Sequence, residues 1–373
     1  MVVGLDARFL SKIDQGTASY TTQLVNGLLS LMESDRLVLL NKEGIPDGFR
    51  SDMVCHGKLI SDFAPANVLF GYRNAEKKYQ LDILHTNYLT GLQRSACLKI
   101  ITIHDILFKT HPEFFPARLR KGVALLSAWS LPKADHIITV SNYSKERIET
   151  HYPYLKNKVT VIYEAASEDF FFLEDKNAVS ARLLRQFGLE GPYILFVGRF
   201  APMKNLETLV DWFVHRSKEF EALKLVLVGK PDPAFPNAKL ERVLAAHADI
   251  KVLQGVDNEQ LNLLYNGARL FYFVSHGEGF GLPILEAMAA GCPVLTSSQT
   301  ACPEIAGSAG HCVNPGDQGA IFNALNQLIR NEERLLSMQK AGFERAALFS
   351  WKQCAKETYG LYKTLMHEGG YTA

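Results

Sequence analysis

Short apolar runs alternate along the chain with segments whose apolar positions recur every three or four residues. In the first half the runs Val2–Leu5, Leu37–Leu40, Ile83–His85, Ile100–His104, Ile137–Val140 and Val159–Tyr163 read as buried strands. Polar and amphipathic segments, notably Ala18–Met32 and Lys145–His151, separate them. The second half repeats the pattern with strands at Tyr193–Gly198, Leu225–Gly229, Lys251–Leu253, Leu270–Val274 and Val294–Thr296. Helical spacing follows at Leu206–Ser217, Ala238–Ala246, Glu259–Asn266, Leu282–Ala290 and Gln318–Asn331. Short continuous strands alternating with helices predict two parallel, doubly wound α/β units. The rhythm breaks over Glu168–Asp175, where Phe170, Phe171 and Phe172 sit among acidic residues. A helical stretch, Ala178–Phe187, and Gly191-Pro192 lead into the next strand. The expected domains are residues 1–170 and 185–350, with a long amphipathic helix from Trp351 closing the chain.

A length of 373 residues agrees with two domains at about 150 residues each. Forty basic against 39 acidic residues leave a net charge of +1, poorly suited to general nucleic-acid binding. No apolar stretch is long enough to span a bilayer. The start, MVVGLDARFL, enters a strand-like run without the features of a signal peptide. The six cysteines form no CxxC pair, and Cys292, Cys302 and Cys312 lack metal-site spacing, which favours reduced, buried thiols. A cytoplasmic protein is the expectation.

The segment SHGEGFGLPILEAMAAGCPV, residues 275–294, concentrates the candidate chemistry. It follows a predicted strand and enters a helix near Leu282, with Pro283 suited to the first turn. Gly277, Gly279 and Gly281 let the backbone approach a ligand, and the amides of the helix start favour an anion such as phosphate. Glu278 and Glu286 flank the turn. A dinucleotide fingerprint would need glycine where Leu282 stands, and would sit near the first strand. A glycosidase acid/base pair and a purely structural turn are the other readings left open.

Glu278, seven intervening residues and Glu286, inside EGFGLPILEAMAAGCPV, resemble the signature of retaining glycosyltransferases of family 4. Weaker matches extend the resemblance over nearly the whole chain. It implies the GT-B architecture, two Rossmann-like domains facing each other across a cleft. Residues 1–170, with the helix of about 351–373 returning to them, would bind the acceptor, and 185–350 the nucleotide-sugar. Glu286 would accept hydrogen bonds from the ribose hydroxyls, and Glu278, Gly279, Phe280, Gly281 and Leu282 would lie near the sugar and phosphates. In Val197-Gly-Arg-Phe-Ala-Pro-Met-Lys-Asn205, Arg199 and Lys204 occupy the place of the cations that neutralise the donor pyrophosphate. The chain has no Asp-x-Asp, so side-chain cations in place of a metal, and no cofactor, are consistent with that role.

His104, in Ile101-Thr-Ile-His-Asp105, matches a family residue at the reactive centre; a satisfied structural histidine is the bland alternative. In the loop before the first helix the family usually has two adjacent glycines, whereas here only Gly16 matches, followed by Thr17. Gly229, Lys230 and Val256 fall where similar proteins line the nucleobase pocket, and Glu164 stands where many relatives have an asparagine–glycine turn. The combination TIHDILF, HPEFFP, VSNYSKERI and GRFAPMKN is similar to bacterial polysaccharide mannosyltransferases, implying GDP-mannose as donor and a surface glycan or lipid-linked glycan as acceptor. A UDP-sugar donor, a different enzyme on the same fold, and a silent nucleotide-sugar-binding subunit are the alternatives. Phe115–Trp129 mixes Arg118, Arg120 and Lys121 with apolar residues. It reads either as a peripheral membrane contact or as a core-facing helix with a solvated basic end.

Overall fold

The structure, a computed structural model, describes residues 1–10, 16–42, 44, 49, 54–59, 66–93, 95–216 and 218–368. Residues 11–15 of the loop before Gly16, and 369–373 of the expected closing helix, lie outside the described residues. The chain divides into two units, Met1–Glu164 with Ser350–Ala373, and Ala165–Phe349.

In the first unit the described strands are β1 (Val2–Asp6), β2 (Arg36–Asn41), β3 (Val54–Lys58), β4 (Ile83–Asn87), β5 (Leu98–Ile103), β6 (His136–Thr139) and β7 (Val159–Val161). They form one sheet in the order β3-β2-β1-β4-β5-β6-β7, every pair parallel. In the second unit β8 (Tyr193–Val197), β9 (Lys224–Val228), β10 (Ile250–Leu253), β11 (Leu270–Phe273), β12 (Val294–Ser297) and β13 (His311–Val313) run β10-β9-β8-β11-β12-β13, again all parallel.

The predicted architecture is therefore present twice. Parallel strands need crossover connections, and each sheet builds outward from its first strand and then reverses direction. The reversals fall between β1 and β4 and between β8 and β11. There the crossovers leave the two strands toward opposite faces and open a crevice beyond their carboxyl ends.

The cores are what the apolar runs supply. Leu225 and Leu227 of β9 are fully buried and pack in one cluster with Leu209 and Phe213 of the helix Leu206–Val214. Truncating such a leucine costs about 2–5 kcal/mol. The helix Trp351–Glu368 packs on the first unit. A Cβ on Gly27 of the helix Gly16–Leu29 would lie 2.4 Å from Ala355 Cβ, so this glycine permits the close approach of that helix and Trp351–Glu368. The Tyr362 hydroxyl is 2.5 Å from His85 Nδ1, and His85 Nε2 is 2.7 Å from Thr102 Oγ1.

The segment Ala117–Ser130 is a helix that meets the core through Leu126, packed against the cluster of Val68 and Leu89, and through the buried Ser127 and Ser130, while Leu119, Leu125 and Trp129 are exposed.

Candidate active site

In the second unit the candidate residues gather beyond the carboxyl ends of the strands, on both sides of the β8/β11 reversal. After β8 the chain makes a short turn, Pro202–Lys204, and enters its helix through Asn205, which is left-handed at φ +54°. A non-glycine residue holds that conformation only when its surroundings fix it. Here the Asn205 side chain donates to the Pro315 carbonyl at 3.0 Å and accepts from Thr208 Oγ1 at 2.7 Å. The buried Tyr272 hydroxyl donates to its carbonyl at 3.1 Å. These bonds set the direction of the neighbouring Lys204. Its ammonium is 2.5 Å from Glu278 Oε1 and 5.2 Å from the Phe273 ring centroid. The pair joins the segment after β8 to that after β11, and both side chains retain some exposure, 20% and 13%. Thr300 Oγ1 accepts from the Glu278 amide at 3.1 Å, fixing the turn from the other side.

Gly281 opens the helix Leu282–Ala289 at φ +103°, a conformation that favours glycine. First-turn amides have no intrahelical acceptor and a helix dipole behind them, so they suit an anion. Phe280 is buried edge-to-face on Phe349 at 6.0 Å, so its ring is a packing element and only its backbone faces the turn's chemistry. Leu282 is likewise buried.

About one turn into this helix, Glu286 Oε2 accepts from the Tyr265 hydroxyl at 3.2 Å. Burial pushes the Glu286 carboxyl up to about 7, against the lowering effect of the Tyr265 bond. Burial likewise raises Tyr265 well above its ordinary range, so it stays protonated and remains a donor.

Arg199 is 46% exposed and its guanidinium lies 3.7 Å from Asp232, which itself accepts from the Ala234 amide. Gly229, at φ +149°, lets the ends of β8 and β9 meet: a Cβ there would fall 1.9 Å from the Gly198 carbonyl oxygen. Lys230 is exposed, and its carbonyl accepts from the Phe200 amide at 2.9 Å. Val256 follows β10, two strands out from β8, and is half-buried.

In the first unit His104 follows β5 and is buried. Its Nδ1 is 2.9 Å from Glu164 Oε1 and its Nε2 is 3.3 Å from Asn87 Oδ1. An ionised carboxylate only accepts, so Glu164 fixes the proton on Nδ1. The Tyr20 ring stands edge-on to the imidazole at 4.8 Å, and Tyr88 lies at 5.5 Å. Thr17 hydrogen-bonds the Tyr88 hydroxyl, which places the Gly16-Thr17 helix start beside the same histidine.

The candidates thus fall into two clusters: Lys204 with Glu278 and the Gly281 turn in the second unit, and His104 with Glu164 in the first. Glu164, Asn87, Tyr265, Asn205 and Asp232 are the partners that sequence reasoning did not assign. Glu164 had a usable signal, since it too lies just beyond a strand's carboxyl end. Among the described residues no group of three or more His, Cys, Asp or Glu side chains is placed to hold a metal ion, and no helix is long and apolar enough to cross a membrane.

The family model "Glycosyl transferases group 1" matches residues 184–345, and "Glycosyltransferase Family 4" matches 55–169. The chain is 30% identical to O-antigen chain mannosyltransferase B of Escherichia coli, over 94% of this chain and 96% of that one. O-antigen chain mannosyltransferase RfbU of Salmonella typhimurium is 27% identical, over 61% of this chain and 60% of its own length. Among solved structures, sucrose-phosphate synthase from Thermosynechococcus elongatus superposes with a TM-score of 0.79 at 22% identity, covering 98% and 99% of the two chains. WaaG, a glycosyltransferase involved in lipopolysaccharide biosynthesis, gives 0.75 at 14% identity over 97% and 99%. These likenesses establish the GT-B fold.

Proposed function

We propose that this chain, which belongs to the group 1 glycosyl transferases of Glycosyltransferase Family 4 and is a glycosyltransferase, moves mannose from GDP-mannose to a glycan or lipid-linked glycan acceptor in surface polysaccharide synthesis. The choice of mannose rests on the relatives in Escherichia coli and Salmonella typhimurium, both named as O-antigen chain mannosyltransferases. The placement of the chemistry rests on one observation above the rest: Lys204 and Glu278, 2.5 Å apart, beside a glycine-opened helix start that carries Glu286 one turn further on.

In this reading ionised Glu286 accepts from both ribose hydroxyls of the donor. Arg199 and Lys204 face the pyrophosphate, where negative charge grows as the glycosidic bond breaks. An ammonium has three N–H donors, so Lys204 can hold Glu278 and a phosphate oxygen together. Glu278 and the turn amides of Gly279, Phe280, Gly281 and Leu282 position the sugar and phosphates. Gly229, Lys230 and Val256 border the base, and His104, oriented by Glu164, serves the transferred sugar, with Gly16 and Thr17 beside it.

The C1–O bond to the diphosphate breaks as the acceptor oxygen bonds C1 from the same face. The acceptor's proton passes to the departing phosphate oxygen, and the product retains the donor's anomeric configuration. No metal and no further cofactor takes part.

Titration calorimetry of GDP-mannose, UDP-glucose and the free diphosphates in EDTA tests this reading. Binding of GDP-mannose and GDP alone is expected, and binding only after a divalent cation is restored would overturn the metal-free assignment. Selective binding of the uridine ligands would replace the donor.

A further inference from the structure

Side chains alternate along a strand, so the register of β4 with β5 puts His85 and Asn87 on one face of the sheet with Thr102. His104 continues that row just beyond the end of β5. His85, Thr102, Tyr20 of the helix Gly16–Leu29 and Tyr362 of the helix Trp351–Glu368 are all buried. Their polar atoms form one chain. The Tyr362 hydroxyl is 2.5 Å from His85 Nδ1, His85 Nε2 is 2.7 Å from Thr102 Oγ1, and Thr102 Oγ1 is 2.9 Å from the Tyr20 hydroxyl. The Tyr20 ring then stands perpendicular to the His104 imidazole at 4.8 Å, with Trp351, the first residue of the closing helix, 6.1 Å from it.

Packing alone does not call for this chain. Phenylalanine for the tyrosines and valine for the threonine would fill nearly the same space without burying polar groups. Burial also disfavours the charged form of His85 and keeps its ring neutral. A neutral imidazole has one N–H, so it donates at one nitrogen and accepts at the other. If Tyr362 donates to Nδ1, the Nε2–H donates to Thr102, whose hydroxyl proton is then available to Tyr20. If Tyr362 accepts, Thr102 donates to Nε2 and Tyr20 donates to Thr102. A change at Tyr362 therefore reaches Tyr20, three hydrogen bonds away.

Glu164 and Asn87 meet the two nitrogens of His104, and the tilt of its ring is limited by Tyr20 and Tyr88. We propose that the closing helix positions the histidine of the reactive centre: Tyr362, through His85, Thr102 and Tyr20, sets the ring orientation that His104 presents to the transferred sugar. The inference rests on the placement of His104 at that sugar, and it makes these four side chains positioning residues. Misplacing a reacting group by about an ångström costs about 10²-fold in rate. Loss of a link is therefore expected in turnover more than in donor KM, because Glu286, Arg199 and Lys204 belong to the other unit.

The full chain, labelled with ring-15N histidine, reports on His104 without any turnover. His104 is one of eleven histidines, and its signals are assigned by their loss in His104→Gln. Thr102→Val removes the hydroxyl at nearly constant shape, Thr102→Ser restores it, and Tyr362→Phe removes the far end of the chain. Thermal melting checks that each variant is folded.

Tyr362→Phe and Thr102→Val are expected to shift or broaden the His104 ring signals and to lower kcat about threefold and about tenfold, with donor KM within about twofold of the parent. Thr102→Ser is expected to return both readouts toward the parent. In a His104→Ala background, Thr102→Val should change the residual rate by less than about twofold, since its effect acts through the missing ring. His104 signals that stay in place in Thr102→Val while those of His85 move would overturn the proposal. So would a Thr102→Val loss as large in the His104→Ala background as in the parent. A response of the His104 signals in a chain that transfers no sugar would support the hold on the ring and overturn the donor reading instead.

Discussion

Glu286 accepts hydrogen bonds from ribose only while ionised, and burial holds its carboxyl near 7 instead of in the ordinary carboxylate range. Such a group is about nine-tenths charged at pH 8 and about one-tenth charged at pH 6, so donor affinity should fall about tenfold between them. The donor's own phosphates, both esterified, do not titrate there. The hydroxyl of Tyr265 opposes the shift from 3.2 Å away. A hydrogen bond to a charged acceptor is worth about 1.5–3 kcal/mol, part of which water or ribose restores in its absence. Tyr265→Phe should therefore move the midpoint up by about one pH unit, weaken donor binding about fivefold at pH 7, and come within about twofold of the parent at pH 8.5. Glu286→Gln should bind weakly at every pH, with no midpoint near 7. Calorimetric Kd values taken from pH 6 to 8.5 read all three. A flat parent profile, or a Tyr265→Phe midpoint displaced toward acid, would refute the assignment of Glu286 to the ribose.

Three further outcomes follow from the contacts. Glu164→Gln keeps the size of the side chain but removes the charge that holds His104 Nδ1 protonated at 2.9 Å; kcat should drop about 10–100-fold with donor KM little changed, and His104→Ala combined with it should add little beyond His104→Ala alone. Gly229→Ala forces a Cβ to 1.9 Å from the Gly198 carbonyl, so a loss of at least about 1–3 kcal/mol in denaturant unfolding should accompany weaker donor binding. Burial holds His85 down to about 3 against an ordinary 6.5, so only the unfolded chain takes up its proton between those values. Its contribution is complete above pH 6.5 and is lost as pH falls. His85→Asn should therefore flatten the acid side of the stability–pH curve by up to about 1.4 kcal/mol per pH unit, and an unchanged slope would contradict neutral burial.

The doubly wound fold was legible because strands buried on both faces must be continuous apolar runs, as Lys224–Val228 and Leu270–Phe273 are. The strands it did not reveal lie at sheet edges: β3 reads Val-Cys-His-Gly-Lys and β13 is three residues long, too little burial to leave a pattern. The helix Glu332–Ala346 escaped notice because a mostly polar surface covers its few buried positions, Leu335, Met338 and Gly342. The glycine turn was readable since its geometry restricts residue type locally, most plainly at Gly281. The partnerships were not, because they are made by folding: Glu164 reaches His104 across 60 positions and Tyr265 reaches Glu286 across 21. The Ala117–Ser130 helix shows the remaining limit. Its composition fits an inward or an outward apolar side equally well, and only the packing of Leu126 and Ser130 decides which side faces solvent.

The proposed reaction is mannosyl transfer with retention and without a metal. The purified chain, GDP-mannose, a synthetic lipid-linked glycan acceptor and EDTA, followed by proton NMR of the product's anomeric signal, test it in one tube. GDP release that depends on acceptor, and a new α-mannosyl linkage with the configuration of the donor, are expected. A β-linked product, or transfer from a UDP-sugar with GDP-mannose left intact, would contradict it.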